Sequence, residues 1–246
     1  MRMFSVMELL AWDHVTGLPS GGQLRTNGPV DSTVSVLLVG GGNGQDAPGK
    51  WSTSMTWLAP RLAAAVGDRA RIGQVRYASS SWNELDRGIA DVRCAIEHEL
   101  ARDRPPTRIV LVALSMGGAT CLMNVDRPEV TTLVAMAPWF PRELPRAGLR
   151  DTRLLVVHGS LDNALPLVPG TSLRMSRATV EEAVAMGGDA EWRRIRFGLH
   201  GLAVRWRGRI WRMPRAGAFV RPIVAEVARH VSSVEQPRSR SSRPGS

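Results

Sequence analysis

The chain has 246 residues, 43% of them hydrophobic, which is enough for one domain with a full-sized core. Its formal net charge of +10 would ordinarily suggest nucleic acid or an anionic membrane as a partner. Residues 193–246, however, contain 13 arginines and two glutamates, so the rest of the chain is nearly neutral. Nucleic acid is therefore not an expected partner.

Other protein classes are excluded by simple counts. No apolar run approaches the 18 or so residues that a membrane-spanning helix needs, so no transmembrane segment is predicted. Glu8 and Asp13 interrupt the N-terminal region where a cleavable signal would need an apolar stretch, and we predict a cytoplasmic protein. Cys94 and Cys121 are too few for a disulfide framework or a zinc pattern, and we expect both to be reduced and packed as small hydrophobic side chains.

The predicted elements alternate along the chain. Residues 15–24 contain two short β-like pieces around a Ser-Gly-Gly turn, and residues 34–39 form a buried strand that ends in a glycine loop at 40–44. The later elements are a helix over 54–66, a strand over 72–78, a helix over 85–100 begun by a Ser81–Glu84 capping box, a strand over 109–114, a short helix after Gly118, strands over 130–137 and 153–157, a helix over 171–186, a strand over 191–197 and a helix over 216–231.

This alternation predicts an α/β fold. Strands separated by helices form βαβ units, which give a mainly parallel central sheet with helices on both faces. Residues 232–246 are rich in serine and arginine and have too little apolar area to order themselves. We therefore predict a single domain over residues 1–231 and a disordered basic tail over 232–246.

Ser115 stands in the segment Ala-Leu-Ser-Met-Gly-Gly, residues 113–118, between the clearest strand and a helix. A nucleophile elbow needs this context, a sharp strand-to-helix turn with small residues two positions on either side of the serine. The helix N-terminus would then face the serine, and the backbone N–H of Met116 would be an oxyanion donor. An ordinary serine in a strand–helix turn is the alternative.

Asp162 and His200 each follow the end of a predicted strand, the edge at which open α/β sheets place their ligands. An elbow serine is followed along the chain first by its acid and then by its histidine, and Ser115, Asp162 and His200 have this order. The other histidines are expected to be non-catalytic, with His14, His98 and His230 at the surface and His158 a structural residue in the turn before the acid.

These segments resemble the α/β-hydrolase superfamily of serine hydrolases over roughly residues 15–231. The resemblance is carried by the strand and glycine loop at 36–44, the elbow at 113–118, His-Gly-Ser-Leu-Asp at 158–162 and Gly-Leu-His-Gly at 198–201. It implies that Ser115 is the nucleophile, His200 the general base and Asp162 the carboxylate that holds the imidazole tautomer. It also implies that the N–H of Gly42 is the second oxyanion donor.

Two positions depart from the pattern of this superfamily, and both affect the support of loops. Gly40 stands where a histidine is common, and Leu114 stands where histidine, glutamine or tyrosine is common. Only 15 residues, 138–152, separate two strands where many relatives insert a helical lid. The chain therefore resembles the compact, capless members, such as small carboxylesterases and dienelactone-hydrolase-like enzymes, with no sizeable cap domain.

Four residues near strand ends are candidates for the substrate pocket: Asn43, Trp51, Trp82 and Trp139. For the tryptophans the alternative is that each anchors its loop to the core. The segment 205–212, with the sequence Arg-Trp-Arg-Gly-Arg-Ile-Trp-Arg, starts five residues after His200. It is either a site for an anionic group or an amphipathic surface whose tryptophan faces turn inward.

Two functions stay open at this point. The first is a serine hydrolase that cleaves an ester or related acyl bond of a small molecule through a covalent acyl-enzyme, with no metal and no organic cofactor. The second is a catalytically weak hydrolase scaffold that binds anionic partners through its Arg/Trp-rich C-terminal segment. An intact set of Ser115, Asp162 and His200 favours the first, because a pure binding module does not need all three.

Overall fold

The computed structural model describes residues 9–43, 47–163 and 170–232. The strands of its main sheet are β1 (His14–Gly17), β2 (Gln23–Asn27), β3 (Val34–Val39), β4 (Arg71–Arg76), β5 (Arg108–Leu114), β6 (Val130–Met136), β7 (Arg153–Gly159) and β8 (Ala190–Ile195). They are ordered β1-β2-β4-β3-β5-β6-β7-β8. Strands β3 to β8 are parallel, and the hairpin of β1 and β2 joins one edge in antiparallel fashion.

The described residues contain five helices, which pack on both faces of this sheet: α1 (Thr53–Val66), α2 (Leu85–Leu100), α3 (Met116–Leu122), α4 (Leu173–Ala185) and α5 (Ala216–Ser232). Successive residues of a strand point to opposite faces, so Val36 and Leu38 join one buried cluster while Leu37 and Val39 join the other. Helices α1 and α5 cover the first core cluster, and α2, α3 and α4 cover the second. The predicted α/β fold with a mainly parallel sheet is confirmed.

The connection between β6 and β7 is short. Residues 137–152 are all described, and they contain one 3₁₀ turn, Ala147–Arg150, and no α-helix. No helical lid therefore inserts at this point, as predicted. At the other end of the chain, α5 reaches Ser232, the first residue of the predicted tail, and residues 233–246 lie outside the described residues.

Two boundaries around the carboxyl edge of the sheet differ from the prediction. Helix α3 begins at Met116, directly after the elbow serine, and not after Gly118. Strand β8 ends at Ile195 because Phe197 has a φ of 57°, which turns the chain out of the extended conformation.

The start of α2 also differs from the prediction. A 3₁₀ turn, Trp82–Glu84, precedes the helix, which begins at Leu85. The hydroxyl of Ser81 accepts a hydrogen bond from the backbone N–H of Asn83 at 3.2 Å and caps this turn. The predicted capping box of Ser81 and Glu84 is therefore wrong, because Glu84 stands before the helix and not in its first turn.

A second sheet has two strands, β9 (Ala203–Trp206) and β10 (Arg209–Arg212), which form an antiparallel hairpin. The hairpin is attached to α1 through Ser54, whose hydroxyl accepts hydrogen bonds from the backbone N–H groups of Leu202 (3.0 Å) and Ala203 (3.3 Å). The sequence predicts an Arg-rich surface here but not a strand pair.

Glu226 joins α5 to β7. Its carboxylate, 6% exposed, accepts hydrogen bonds from Arg153 Nε at 2.9 Å and from His230 Nε2 at 3.1 Å. Burial alone would raise the pKa of Glu226, but these hydrogen bonds and the charges of Arg153 and Arg229 lower that pKa to about 2. His230 is therefore half-buried beside Glu226, not at the surface as predicted.

Replacement of Glu226 with glutamine is expected to lower the free energy of unfolding by about 2–3 kcal/mol at pH 7, because Arg153 loses a buried partner. The folded pKa lies below the ordinary value of 4.5, so the contribution is present above pH 4.5 and is lost as the pH falls toward 2. Urea unfolding at pH 7, 4 and 3 measures this difference. The matched control, Glu181→Gln, breaks an exposed pair with Arg177 and should change stability by less than about 0.5 kcal/mol. A difference for Glu226→Gln that does not change with pH would contradict the prediction.

Candidate active site

Ser115 occupies a sharp turn between β5 and α3. Its backbone has φ 55° and ψ −119°, a conformation that is costly for a residue with a side chain. The turn is held by three backbone hydrogen bonds: the N–H of Ser115 donates to Met136 O (3.1 Å), and its carbonyl accepts from the N–H groups of Gly118 (2.8 Å) and Trp139 (2.9 Å). A strained residue that is fixed from several sides is the geometry of a nucleophile elbow.

Asp162 is buried at the end of β7, and it is surrounded by hydrogen-bond donors. Its Oδ1 lies 2.7 Å from His200 Nδ1, and its Oδ2 lies 2.7 Å from His158 Nε2. Thr171 donates its backbone N–H to Oδ2 at 3.1 Å, and its hydroxyl lies 2.8 Å from the same oxygen. Because an ionised carboxylate only accepts hydrogen bonds, Nδ1 of His200 carries a proton, and the lone pair of the neutral imidazole is then on Nε2.

The electrostatics keep this carboxyl group ionised. Burial alone would raise the pKa of Asp162, but the hydrogen bonds from His158, His200 and Thr171 hold that pKa well below its ordinary value. Asp162 is therefore charged at neutral pH and can orient and stabilise a protonated His200.

Two of the partners of Asp162 have a role that the sequence did not reveal. His158 was expected to be structural, and the structure places it fully buried on Asp162, with its Nδ1 2.8 Å from the hydroxyl of Ser176. Thr171 was expected inside a helix, but α4 begins at Leu173 with Ser172 as its N-cap. Thr171 is therefore free of the helix, which allows its N–H and hydroxyl to face the carboxylate.

Ser115 and His200 line one cavity of about 320 Å³. The side chain of His200 is 15% exposed, so the imidazole is accessible from this cavity. The hydrogen bonds of the described residues include none between the Ser115 hydroxyl and His200. This contact of a catalytic pair is often loose without substrate and tightens in the substrate complex.

The glycine loop after β3 forms another wall of the cavity, through Gly41, Gly42 and Asn43. A methyl group on Gly41 would lie 3.1 Å from Ser115 Cβ, so the loop backbone approaches the serine closely. In the loops and turns of the described residues, no backbone carbonyl accepts the N–H of Gly42 or of Met116. Both predicted oxyanion donors are therefore available, and both lie in the chain segments next to Ser115.

Tyr77, the residue directly after β4, supports the glycine loop at Gly40. Its hydroxyl donates to the carbonyl of Gly40 at 3.1 Å and lies 2.9 Å from the hydroxyl of Thr120 on α3. A fully buried contact thus links the glycine loop to the helix of the elbow. Leu114, the residue before Ser115, lines the cavity directly.

The four pocket candidates separate into two pairs. Asn43 and Trp51 line the cavity. Trp82 and Trp139 are not among the described residues that line it, and both pack against the second core cluster. For these two tryptophans the alternative interpretation, that they anchor their loops to the core, agrees with the structure.

Arg25 on β2 lies beside Trp51, which lines the cavity. No sequence motif marks Arg25 as part of this region. Its guanidinium stacks on the rings of Trp12 and Trp51, 4.4 Å from the centre of each, and donates to Gln74 Oε1 at 2.6 Å. Burial and the charge of Arg205 lower the pKa of Arg25 to about 10. The arginine therefore fixes the Trp51 ring at the edge of the cavity.

Within residues 9–43, 47–163 and 170–232, no three histidine, cysteine, aspartate or glutamate side chains are grouped so that they could hold a metal ion. None of the described helices combines the length and the apolar character required to cross a membrane.

No protein-family model matches the sequence. Solved structures do resemble it. A dienelactone hydrolase-like promiscuous phosphotriesterase from metagenomic libraries superimposes with a TM-score of 0.63 at 15% identity, over 89% of this chain and 97% of that chain. An α/β serine hydrolase without a lid from Xanthomonas campestris gives 0.57 at 15% identity, over 97% and 100%. A thermophilic esterase from Thermogutta terrifontis, solved with butyrate bound, gives 0.60 at 14% identity, over 90% and 94%.

The superpositions cover nearly the full length of this chain and of each neighbour. At this level of identity the likeness concerns the fold. The chain therefore has the fold of the α/β hydrolases.

Proposed function

We propose that the protein is a serine hydrolase that cleaves an ester or related acyl bond of a small molecule. The observation that carries this proposal is the strained backbone of Ser115 in a cavity that it shares with His200. Nδ1 of His200 is hydrogen-bonded to the buried carboxylate of Asp162. A serine that only packs or caps a helix needs neither the strain nor the two partners.

The acylation step follows from this arrangement. Nε2 of His200 accepts the hydroxyl proton of Ser115 while Oγ attacks the carbonyl carbon of the substrate. The carbonyl oxygen becomes an oxyanion, which the N–H groups of Met116 and Gly42 stabilise. The tetrahedral intermediate then collapses, His200 returns the proton to the leaving alkoxide, and an acyl-enzyme remains on Ser115.

Deacylation repeats these steps with water. His200 removes a proton from a water molecule as its oxygen attacks the acyl carbon, and the second tetrahedral intermediate expels Ser115 Oγ, which recovers the proton from His200. The products are the free acid and the original enzyme. The residues require no metal or organic cofactor for either half of the reaction.

The size of the cavity favours a small acyl group. A volume of about 320 Å³ lies at the lower end of the range of ligand pockets, about 300–1,000 Å³. Polar residues also line the cavity, among them Ser52, Ser54 and Ser80. Short-chain nitrophenyl esters are therefore suitable substrates for testing the proposal.

A fluorophosphonate probe tests the nucleophile directly, because it bonds covalently to an activated serine. We expect wild type to gain one probe per chain at Ser115, and Ser115→Ala to gain none, as measured by intact mass and peptide mapping. The matched control is Ser80→Ala, which removes another serine of the same cavity and should label as wild type does. An unlabelled wild type, or equal labelling of Ser115→Ala, would refute the proposal and favour a catalytically weak scaffold.

A further inference from the structure

The hairpin of β9 and β10 has an unusual outer face. Cross-strand pairing places Val204 opposite Trp211 and Trp206 opposite Arg209, so these four side chains share one face. The other face carries Ala203, which is buried, and Ile210, which packs against the first core cluster. The face with Val204, Trp206, Arg209 and Trp211 is therefore the one turned away from the body, and it is called the outer face below.

Three of the four side chains on the outer face are apolar, whereas the exposed face of a strand pair normally carries polar residues. Val204, Trp206 and Trp211 are 47%, 57% and 44% exposed. The two indole rings are in edge contact, with centroids 6.3 Å apart, and form one continuous aromatic patch. Exposed apolar patches bordered by charge typically mark an interaction surface.

The chain segment that contains this patch carries only positive charge. Residues 192–225 contain nine arginines and no acidic residue. Of these nine, the described residues provide a carboxylate partner for Arg193 alone, which pairs with Glu191. The hairpin arginines at 205, 207, 209 and 212 therefore retain an uncompensated positive charge next to the exposed indoles.

We propose that the outer face of the hairpin docks on the surface of an anionic lipid bilayer. Tryptophan favours the boundary between headgroups and acyl chains, and arginine pairs with lipid phosphates, so the patch and its charge match the two layers of such a surface. A nucleic acid would need free indole faces for stacking on bases, but Arg207 lies over the ring of Trp206 at 4.6 Å. The inference concerns where the protein binds and does not depend on the proposed catalysis.

The docking face lies next to the candidate active site. Ala203, the first residue of β9, lines the same cavity as His200. A protein docked through this hairpin would therefore have one wall of its cavity near the membrane surface.

Vesicle co-sedimentation of the full-length chain tests the proposal. We expect wild type to bind vesicles of phosphatidylcholine with 30% phosphatidylglycerol and to bind pure phosphatidylcholine at least tenfold more weakly. Trp206→Ser/Trp211→Ser should reduce binding to the anionic vesicles by about tenfold, since the partition scales with the apolar area inserted. Arg207→Gln/Arg209→Gln should remove most of the preference for anionic lipid. Each lost arginine should weaken binding to the anionic vesicles by about fivefold.

The matched control is Val15→Ser/Val184→Ser, which removes two equally exposed apolar side chains far from the hairpin in sequence, on β1 and α4. This variant should bind as wild type does. Thermal unfolding of every variant verifies that the fold is retained. Because all variants keep residues 233–246, any loss of binding is assigned to the hairpin and not to the basic tail.

Three results would overturn the proposal. The first is vesicle binding that does not change when both tryptophans are replaced. The second is binding to a single-stranded oligonucleotide that depends on the same tryptophans and exceeds binding to the vesicles at 150 mM salt. The third is a dimer in solution that Trp206→Ser/Trp211→Ser dissociates, since the occupant would then be a second copy of the chain.

Discussion

Replacement of Ser115 by alanine is expected to lower kcat for a short-chain nitrophenyl ester by about 10⁶-fold, the scale typical when the nucleophile of a serine triad is removed. Alanine provides no oxygen to form the acyl-enzyme, and the small residual rate comes from the oxyanion donors and the cavity alone. The fold should survive, because Ser115 has no side-chain hydrogen bond among the described residues and the loss is a single hydroxyl. Steady-state kinetics and thermal unfolding of the two proteins measure both effects.

The matched control for this experiment is again Ser80→Ala, whose kcat should stay within tenfold of wild type. A Ser115→Ala variant that keeps more than a tenth of the wild-type kcat would show that the reaction does not pass through Ser115. A large loss in both variants would instead indicate that the cavity is sensitive to any change in its walls.

Replacement of Asp162 by asparagine is expected to lower kcat by about 10⁴-fold, and the structure explains the direction of the effect. The Oδ2 position is surrounded by donors, and one of them, the backbone N–H of Thr171, cannot act as an acceptor. The amide oxygen of the introduced asparagine must therefore occupy the Oδ2 position, and its NH₂ group must face His200. Nδ1 of His200 would then accept, and its proton would move to Nε2, which could no longer accept the proton of Ser115.

Kinetics of Asp162→Asn should be compared with Asp151→Asn. Asp151 is exposed and lies before β7, at the opposite end of the strand from Asp162, so its replacement should leave kcat within about twofold. Fluorophosphonate labelling should be slow in Asp162→Asn and complete in Asp151→Asn. A kcat of Asp162→Asn within tenfold of wild type would mean that Asp162 does not set the tautomer of His200.

Much of the fold could be predicted from local patterns. Residues 109–114 are a continuous apolar run, and residues 34–39 are apolar except for Ser35, as is typical of strands buried on both faces. They coincide with most of β5 and with β3. The order of elements then determines the parallel sheet, and the strand ends place Ser115, Asp162 and His200 at one edge. These three residues could be selected because each follows a strand end, and strand ends can be located from local sequence patterns.

The contacts around the carboxylate could not be predicted in this way. His158, within β7, and Thr171, just before α4, bind the same oxygen of Asp162. These contacts depend on side-chain geometry at the strand end and at the helix start, which no sequence motif marks. The shift of the helix start from residue 171 to 173 decides that Thr171 faces the acid, and a propensity pattern does not resolve helix ends to two residues. Arg25 is a similar case, since its contacts with Trp12 and Trp51 join three separate segments.

The hairpin of β9 and β10 was missed for another reason. Its outer face carries three apolar side chains beside Arg209, and its inner face carries Arg205 and Arg212 beside Ala203 and Ile210, so neither face is uniformly polar or apolar. A pattern search that assumes a polar outer surface places the tryptophans inward, as one of the two alternatives for residues 205–212 did. In the structure, Trp206 and Trp211 are instead exposed.

The position of the candidate residues in the sheet also has a consequence for heat inactivation. Ser115 follows β5, a central strand whose neighbours β3 and β6 are both buried, whereas His200 follows β8, an edge strand that pairs only with β7 and has no fully buried residue. Edge segments with few buried contacts open at lower free energies than central strands do. His200 can therefore separate from Asp162 while the turn at Ser115 and both core clusters remain folded. Under the proposed function, activity would then be lost on heating before the molecule as a whole unfolds.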